Sequence, residues 1–304
     1  MEHDIAGDPI TGIKWTRRTT GKIASELQTL GIEVGARTVA RLLKGLRYSL
    51  RVNQKRVARG SGPDRNEQFE HISRERTRFT DRDLPIVSID TKKKENVGNF
   101  KNNGTAWRRS PERVLDHDFP SYATGKATPY GIYDVRANRG AMFIGTSKDT
   151  PDFAVDNLAR WWKSEGTYRY PQGSELLVLA DGGGSNGPRC RAFKYGLQTR
   201  LCDAFGITVT VCHYPTGASK WNPIEHRLFS EISKNWAGCP LRDYETIVNY
   251  IKTTRTKTGL VVTAELIEQQ YPGGVKIPDV LMATIDLDPH ETQPLRNYTI
   301  HPRA

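Results

Sequence analysis

The apolar positions of this 304-residue chain change their period along its length, and the changes divide it. In residues 20–47, Ile23, Leu27 and Leu30 share one face at helical spacing, and Val39, Leu42, Leu43 and Leu46 repeat at i, i+3, i+4 and i+7. Two short helices around a turn are expected, with Gly31 stopping the first. Across the second helix, Arg37, Arg41 and Lys44 recur at i, i+4 and i+7, so a basic stripe faces out while the apolar stripe faces in. Two readings fit: a helix-turn-helix whose second helix enters a major groove, or a helical hairpin with a solvated charged face. A turn at 61–64 follows, and the polar stretch from Arg65 to Asp83 reads as a helix bridging two domains.

From Leu84 the pattern becomes that of strands. Ile86 to Ile89 is a short apolar run ending at Asp90, and Tyr130–Val135 and Ala141–Thr146 flank a hairpin-type connection, so they are expected to pair antiparallel. Residues 91–129 between them show no period and read as a long loop or flap. Pro151 to Gly166 is amphipathic. Glu175 to Ala180 is continuously apolar, which places it inside a sheet covered on both faces. A helix over Pro188–Phe205, a strand over Ile207–Cys212 and a helix over Pro223–Trp236 come next, the last with Asn222 as N-cap and Pro223 at its first position. Arg242–Thr254 is one more helix, and the last fifty residues carry no chemistry that the sequence assigns. The order describes an α/β domain, a mixed sheet with helices on its faces. The expected organisation is a helix-turn-helix module over 1–60, a linker helix over 61–82, a catalytic domain over 83–258 and a C-terminal extension over 259–304.

Charge sharpens this division. The net charge is +11, and residues 1–60 hold 12 Lys and Arg against 5 Asp and Glu, seven of those eleven charges. Arg47, Arg51, Lys55, Arg56 and Arg59 continue the positive charge past the second helix. A concentrated basic module suits a polyanion, with most such contacts falling on phosphate. No apolar run is long enough to span a bilayer and no signal peptide opens the chain, so a cytoplasmic, nucleoid-associated protein without a membrane partner is expected. The four cysteines form no CxxC pair and read as reduced, mostly buried thiols; Cys202, Cys212 and His213 match no structural zinc spacing.

The candidate chemistry is acidic. Asp90 closes the first strand, Asp181 closes the apolar strand, and Glu225 takes the third position of a later helix. A single strand-end Asp usually just terminates its strand, but three converging on one sheet edge suit hard divalent cations, which take oxygen ligands. Two such ions about 4 Å apart can activate a water on one side and stabilise a leaving oxyanion on the other. Gly182, Gly184 and Gly187 also satisfy the dinucleotide-binding pattern, with Asp203 about twenty residues on. In such a unit the ribose-binding acid closes the next strand, whereas Asp203 falls within a helix, which argues against it.

Taken together, SIDTKKKENVGNF, HDFP, PYGIYDV, LADGGGSNGPR, ITVTVCHYPTGASKWNPIEHRLFS and the upstream TVARLLKGLRYSL resemble the DDE transposases of bacterial insertion sequences, in the group with the Rhodopirellula-type DDE domain. The resemblance covers nearly all of residues 15–275. It implies a ribonuclease H-like fold, Mg²⁺ or Mn²⁺ (two ions) held by Asp90, Asp181 and Glu225, and DNA as substrate, both transposon ends and target. Nicking at an end would free a 3′-hydroxyl to attack target DNA, with a homo-oligomer pairing two ends. Relatives carry further DNA-binding sequence ahead of the helix pair, so the N-terminal module is expected to be shortened. The competing readings are a DNA-binding protein that has lost transposition and a nuclease of the same fold. Lys92, Lys93 and Lys94 are candidate phosphate contacts alongside Arg37, Arg41, Lys44 and Arg47. Asn186, Lys220 and His226 flank the carboxylates and could orient phosphate or water, or serve structure alone. His213 reads as a packed strand-end residue, and Trp107, Trp161 and Trp162 as packing groups.

Overall fold

The computed structural model describes residues 6–7, 14–15, 18–50 and 63–303. The chain divides into two compact units, residues 1–58 and 59–304.

In the first unit, two-residue strands β1 (Ala6–Gly7) and β2 (Lys14–Trp15) pair antiparallel. Helices α1 (Thr20–Thr29) and α2 (Ala36–Gly45) follow. Thr19 caps α1 through the Lys22 N–H. Gly31, at φ +78°, closes it with Gly31 N–H on Gln28 O and Ile32 N–H on Leu27 O, the paired bonds of a left-handed helix terminus. Arg47 does the same for α2 at φ +64°, a conformation more usual for glycine. The expected inward stripe is only partly realised. Ile23 and Val39 are buried, whereas Leu30, Leu42 and Leu46 are exposed, because two short helices enclose little volume. Arg37, Arg41, Lys44 and Arg47 are all exposed. Arg51, Lys55, Arg56 and Arg59 lie outside the described residues.

The second unit opens with α3 (Pro63–Asp81) and runs through β3 (Ile86–Thr91), β4 (Glu95–Val97), β5 (Gly125–Asp134) and β6 (Arg139–Gly145). Next come α4 (Pro151–Trp161), widened into a π-helical turn over Trp162–Gly166 and finished by α5 (Thr167–Arg169), then β7 (Glu175–Ala180). Helix α6 (Arg191–Leu197) continues through π-helical Gln198–Cys202 to α7 (Asp203–Phe205), and β8 (Thr208–His213) follows. A helix starting at Pro223 passes through a π-helical turn, Glu225–Phe229, into α8 (Ser230–Asn235). The chain ends with α9 (Tyr244–Lys252), β9 (Val261–Ile267), α10 (Asp279–Met282), β10 (Leu287–Pro289) and β11 (Asn297–Ile300).

The main sheet has the order β10-β11-β8-β7-β3-β5-β6-β9, with β4 on β5. Strands β3, β5 and β6 are antiparallel, while β7 and β8 run parallel to β3. This is the expected ribonuclease H-like mixed sheet flanked by helices. Its centre is β7, whose alternation explains the unbroken apolar run. Leu176, Val178 and Ala180 pack with Phe153, Leu158 and Phe193 of α4 and α6, and Leu177 and Leu179 with Ile72 and Phe79 of α3. Thus α3, read from sequence as a bridge, is packed onto the sheet.

Other differences are local. The helix expected from Pro188 starts at Arg191, because Gly187 to Cys190 makes a turn closed by Cys190 N–H on Gly187 O. The unperiodic 91–129 stretch contains β4, and its Gly98 and Asn102–Asn103 segments hydrogen-bond to the backbone of residues 236–241. Residues 259–304 supply strands on both sides of the sheet, β9 parallel to β6 and β11 antiparallel to β8. Trp161 and Trp162 are buried as expected, but Trp107 is fully exposed on the 98–119 loop and packs against nothing. All four cysteines are free, Cys202 and Cys212 buried and the other two half-buried. Among the described residues no helix is long and apolar enough to cross a membrane.

Candidate active site

The register of the central strands builds the site. Ile89 of β3 lies level with Ala180 of β7, so the next residues, Asp90 and Asp181, emerge side by side where the two parallel strands end. Opposite Asp90 on β5 is Gly131. A Cβ at Gly131 would stand 2.5 Å from the Phe229 ring and 2.9 Å from Ile224 Cδ1, so the bare backbone there is what lets the Glu225 helix lie close to the sheet.

A buried polar tie sets the helix in place. Ser88 Oγ donates to Asn222 Oδ1 and accepts the Ile224 N–H at 3.1 Å, while Asn222 Nδ2 donates to Ile89 O at 3.2 Å. Asn222 does precede the helix, but its side chain does not cap it. Instead the hydroxyl of Ser88, two residues before Asp90, receives the first-turn N–H, and the Asn222 amide bonds to the carbonyl beside Asp90. Glu225 is therefore coupled to β3 through three hydrogen bonds within buried surroundings, where such bonds resist exchange with water.

The electrostatics are those of charges held together. Asp90 accepts the Thr91 N–H at 2.7 Å and shares a side-chain hydrogen bond with Glu225, and the buried Thr91 hydroxyl beside it has no partner. Burial first, then Asp181, with smaller repulsion from Glu225 and Asp149, pushes the Asp90 carboxyl up to about 8. Burial also raises Asp181, against the Gly183 N–H that its Oδ1 accepts at 3.1 Å. Glu225 is raised as well, chiefly by burial and in part by Asp181, while His226 and Lys92 oppose the shift. Such a group cannot be fully ionised at neutral pH without a compensating cation. An all-oxygen donor set of this kind fits a hard divalent ion, so the residues suit Mg²⁺ or Mn²⁺.

Asp149 was missed by the sequence reading. It stands in the turn between β6 and α4, repels Asp90 and Asp181, and accepts the Ser185 hydroxyl at 2.9 Å, which ties it to the glycine loop after Asp181. A signal was present: like Asp90 and Asp181, it follows the end of an apolar strand, in the segment SKDTP.

The supporting residues divide. Lys92 is buried rather than offered to phosphate; its ammonium pairs with Glu95 at 3.3 Å and lies 4.5 Å from the Trp236 ring centroid, with its pKa lowered mainly by burial. Lys93 and Lys94 are exposed next to it. Asn186 is buried, accepts the Tyr130 hydroxyl at 3.1 Å, and its backbone oxygen lies 2.7 Å from His213 Nε2. His213 is indeed a packed strand-end residue, with burial pushing its pKa down to about 4. Lys220 is exposed against the Trp221 ring, and its backbone oxygen meets the exposed His226 ring next to Glu225.

Residues 1–302 match the family model described as the Rhodopirellula transposase DDE domain. No curated protein matches the chain. Among solved structures, a Mos1 transposase paired-end complex with left transposon end is similar at 13% identity and a TM-score of 0.45, over 77% of this chain. A mariner Mos1 paired-end complex with Mg is similar at 12% identity and a TM-score of 0.46, and one with Mn at 14% and 0.44. The chain spans 65% of the length of each of these.

Proposed function

From the premise that the chain belongs to the Rhodopirellula transposase DDE-domain family, we propose that it is a DNA transposase that cuts at transposon ends and joins the freed 3′-hydroxyl to target DNA. The observation that carries the reading is Asp90 and Asp181 side by side where β3 and β7 end, within electrostatic reach of Glu225 on the helix tied to β3, with Asp90 driven to about 8 by burial and by its acidic neighbours. These three carboxylates would hold the divalent metal, two ions of Mg²⁺ or Mn²⁺. When bound, the ions supply Lewis acidity, lowering the pKa of the attacking water and stabilising the departing oxyanion.

The chain's own residues set the stage for that chemistry. Asp90 is the hub, repelled by the other two and released from its proton when positive charge arrives. Ser88 and Asn222 fix the Glu225 helix against β3, so the third carboxylate is held before substrate binds. Glycines 182–184 leave the chain after Asp181 without side chains, which gives a phosphate backbone clearance. Lys93 and Lys94, exposed beside Asp90, would meet phosphate, and the exposed Arg37, Arg41, Lys44 and Arg47 of the first unit would supply the basic face for DNA. The protein would act as a homo-oligomer on paired ends in the nucleoid.

The test is incubation with DNA bearing the element's terminal inverted repeats and Mg²⁺ or Mn²⁺, beside an Asp181→Ala control. Metal-dependent nicking and joining by the wild type alone is expected; equal nicking by the variant sinks the assignment, and nicking without joining reduces it to a nuclease. Replacing Arg37 and Arg41 together by alanine should lower DNA affinity and flatten its salt slope by about 1.8, or 0.9 per lost phosphate contact. An unchanged slope rejects that helix as a DNA contact.

A further inference from the structure

A second cluster of ligating side chains lies away from the carboxylates. Among the described residues, His71, Glu75 and His290 are the group of three or more His, Cys, Asp or Glu whose ligand atoms all fall within 4.8 Å of one another. His71 and Glu75 are one turn apart on α3, hence on one helix face, and His290 directly follows β10. His71 is buried, and its Nε2 lies 2.9 Å from His290 Nδ1, the two rings meeting edge to face at 65°.

We propose that these three residues bind Zn²⁺, which clamps α3 to the C-terminal hairpin β10–β11. The donor set is the first reason. Two imidazoles and one carboxylate form a borderline-soft set that suits zinc, unlike the all-oxygen set around Asp90. The outer partners are the second. His290 Nε2 lies 2.9 Å from Thr299 Oγ1, which in turn lies 3.1 Å from Thr210 Oγ1. A ring that gives its Nε2 proton to Thr299 turns the Nδ1 lone pair toward His71, the arrangement that orients a ligating histidine. On Glu75, both Arg78 hydrogen bonds, at 2.8 and 3.0 Å, fall on Oε2.

Geometry is the third reason. Ligands at 2.0–2.1 Å on a tetrahedral ion stand about 3.3 Å apart, so the 2.9 Å between the two nitrogens has to open by only a few tenths of an ångström. The pieces that the ion would join are already aligned: the Gln68 and Asn297 amides exchange two 2.7 Å hydrogen bonds between α3 and β11. A fourth position would take water.

The proposal is independent of the transposase reading, and its test reads metal rather than activity. The full chain is purified, stripped with chelator, and dialysed against Zn²⁺ with excess Mg²⁺, which keeps the carboxylate site filled by the harder ion. Bound zinc is counted by elemental analysis, and Co²⁺ is substituted to read the ligand field. The wild type should retain one equivalent of zinc, give the intense visible bands of tetrahedral Co²⁺, and gain roughly 5–10 °C in Tm at a hundredfold excess over Kd. His290→Ala and Glu75→Gln should each lose the bands and the Tm gain. Glu75→Gln keeps the shape of the site, so it stays informative if the histidine variant fails to fold. Absence of zinc from the wild type, or bands of equal intensity in a folded variant, overturns the proposal.

Discussion

Two aspartates lie on the same pair of strands, Asp134 buried and Asp90 half-buried, and they are treated in opposite ways. Asp134 ends β5 opposite Val87, and Asp90 lies at the other end of β3 opposite Gly131. Asp134 is fully buried, yet its carboxylate accepts the Arg136 and Ala137 N–H groups at 3.1 and 3.0 Å and the Tyr170 hydroxyl at 3.0 Å. Burial still raises it, but these donors oppose the shift. Asp90 has one N–H and three acidic neighbours, Asp181, Glu225 and Asp149. A buried carboxylate surrounded by donors is a finished piece of structure. One surrounded by carboxylates suits a cation, since near neutral pH added positive charge favours the ionised form.

The largest effect that would break this contrast is on activity. Replacing Asp90, Asp181 or Glu225 by alanine should leave a folded protein and lower metal-dependent DNA nicking by at least about 10³-fold, as expected when residues act as a unit. Gel analysis of end-cleaved DNA reads it, and an active variant would remove that residue from the site. Asp134→Ala should do the reverse. Nicking below the Tm should persist while stability falls by about 3 kcal/mol in urea unfolding, because the Tyr170 hydroxyl and two N–H groups lose their acceptor.

Next in size is a dependence on pH. The folded pKa of Asp90, about 8, lies above its ordinary 3.8, so the folded state holds this proton more tightly than the unfolded state. The resulting stabilisation is complete below the unfolded value and is lost as pH rises through the folded one. In chelator, the wild type should therefore lose Tm between pH 4 and 8, and Asp90→Asn should melt several degrees higher at pH 8.5 with no gain at pH 4. A Tm difference that does not change with pH would remove the electrostatic half of the comparison. The smallest effect is expected from Ser88→Ala. It leaves Asn222 Oδ1 and the Ile224 N–H without their partner, at about 1–2 kcal/mol, and nicking should fall with Glu225 less firmly placed. Chemical unfolding and nicking rates measured on one preparation check both halves.

Much of this was readable in the chain. Short apolar runs ending in Asp mark strands whose next residue leaves the apolar layer, so Asp90 and Asp181 were legible as strand-end acids. The segment NPIE marked the start of the Glu225 helix. Asp149 obeys the same rule and was overlooked because it follows a hairpin strand and precedes a helix cap, where an Asp is ordinary. Lys92 looked like its exposed neighbours Lys93 and Lys94, but its fate depends on Glu95 and Trp236, the second of them 144 residues away.

By itself the sequence determined the alternation of strands and helices, the two-sided burial of β7 and the basic character of the first sixty residues, because each depends on periodicity or composition within a short window. Only the tertiary structure decided that Ser88 receives the first-turn N–H of the Glu225 helix, that the last fifty residues supply strands to both sides of the sheet, and that His71 and Glu75 meet His290. Those contacts rest on strand register and helix seating between segments far apart in the chain, from Asn297 opposite Cys212 to His71 against His290, and no local pattern of residues encodes a distance of that kind.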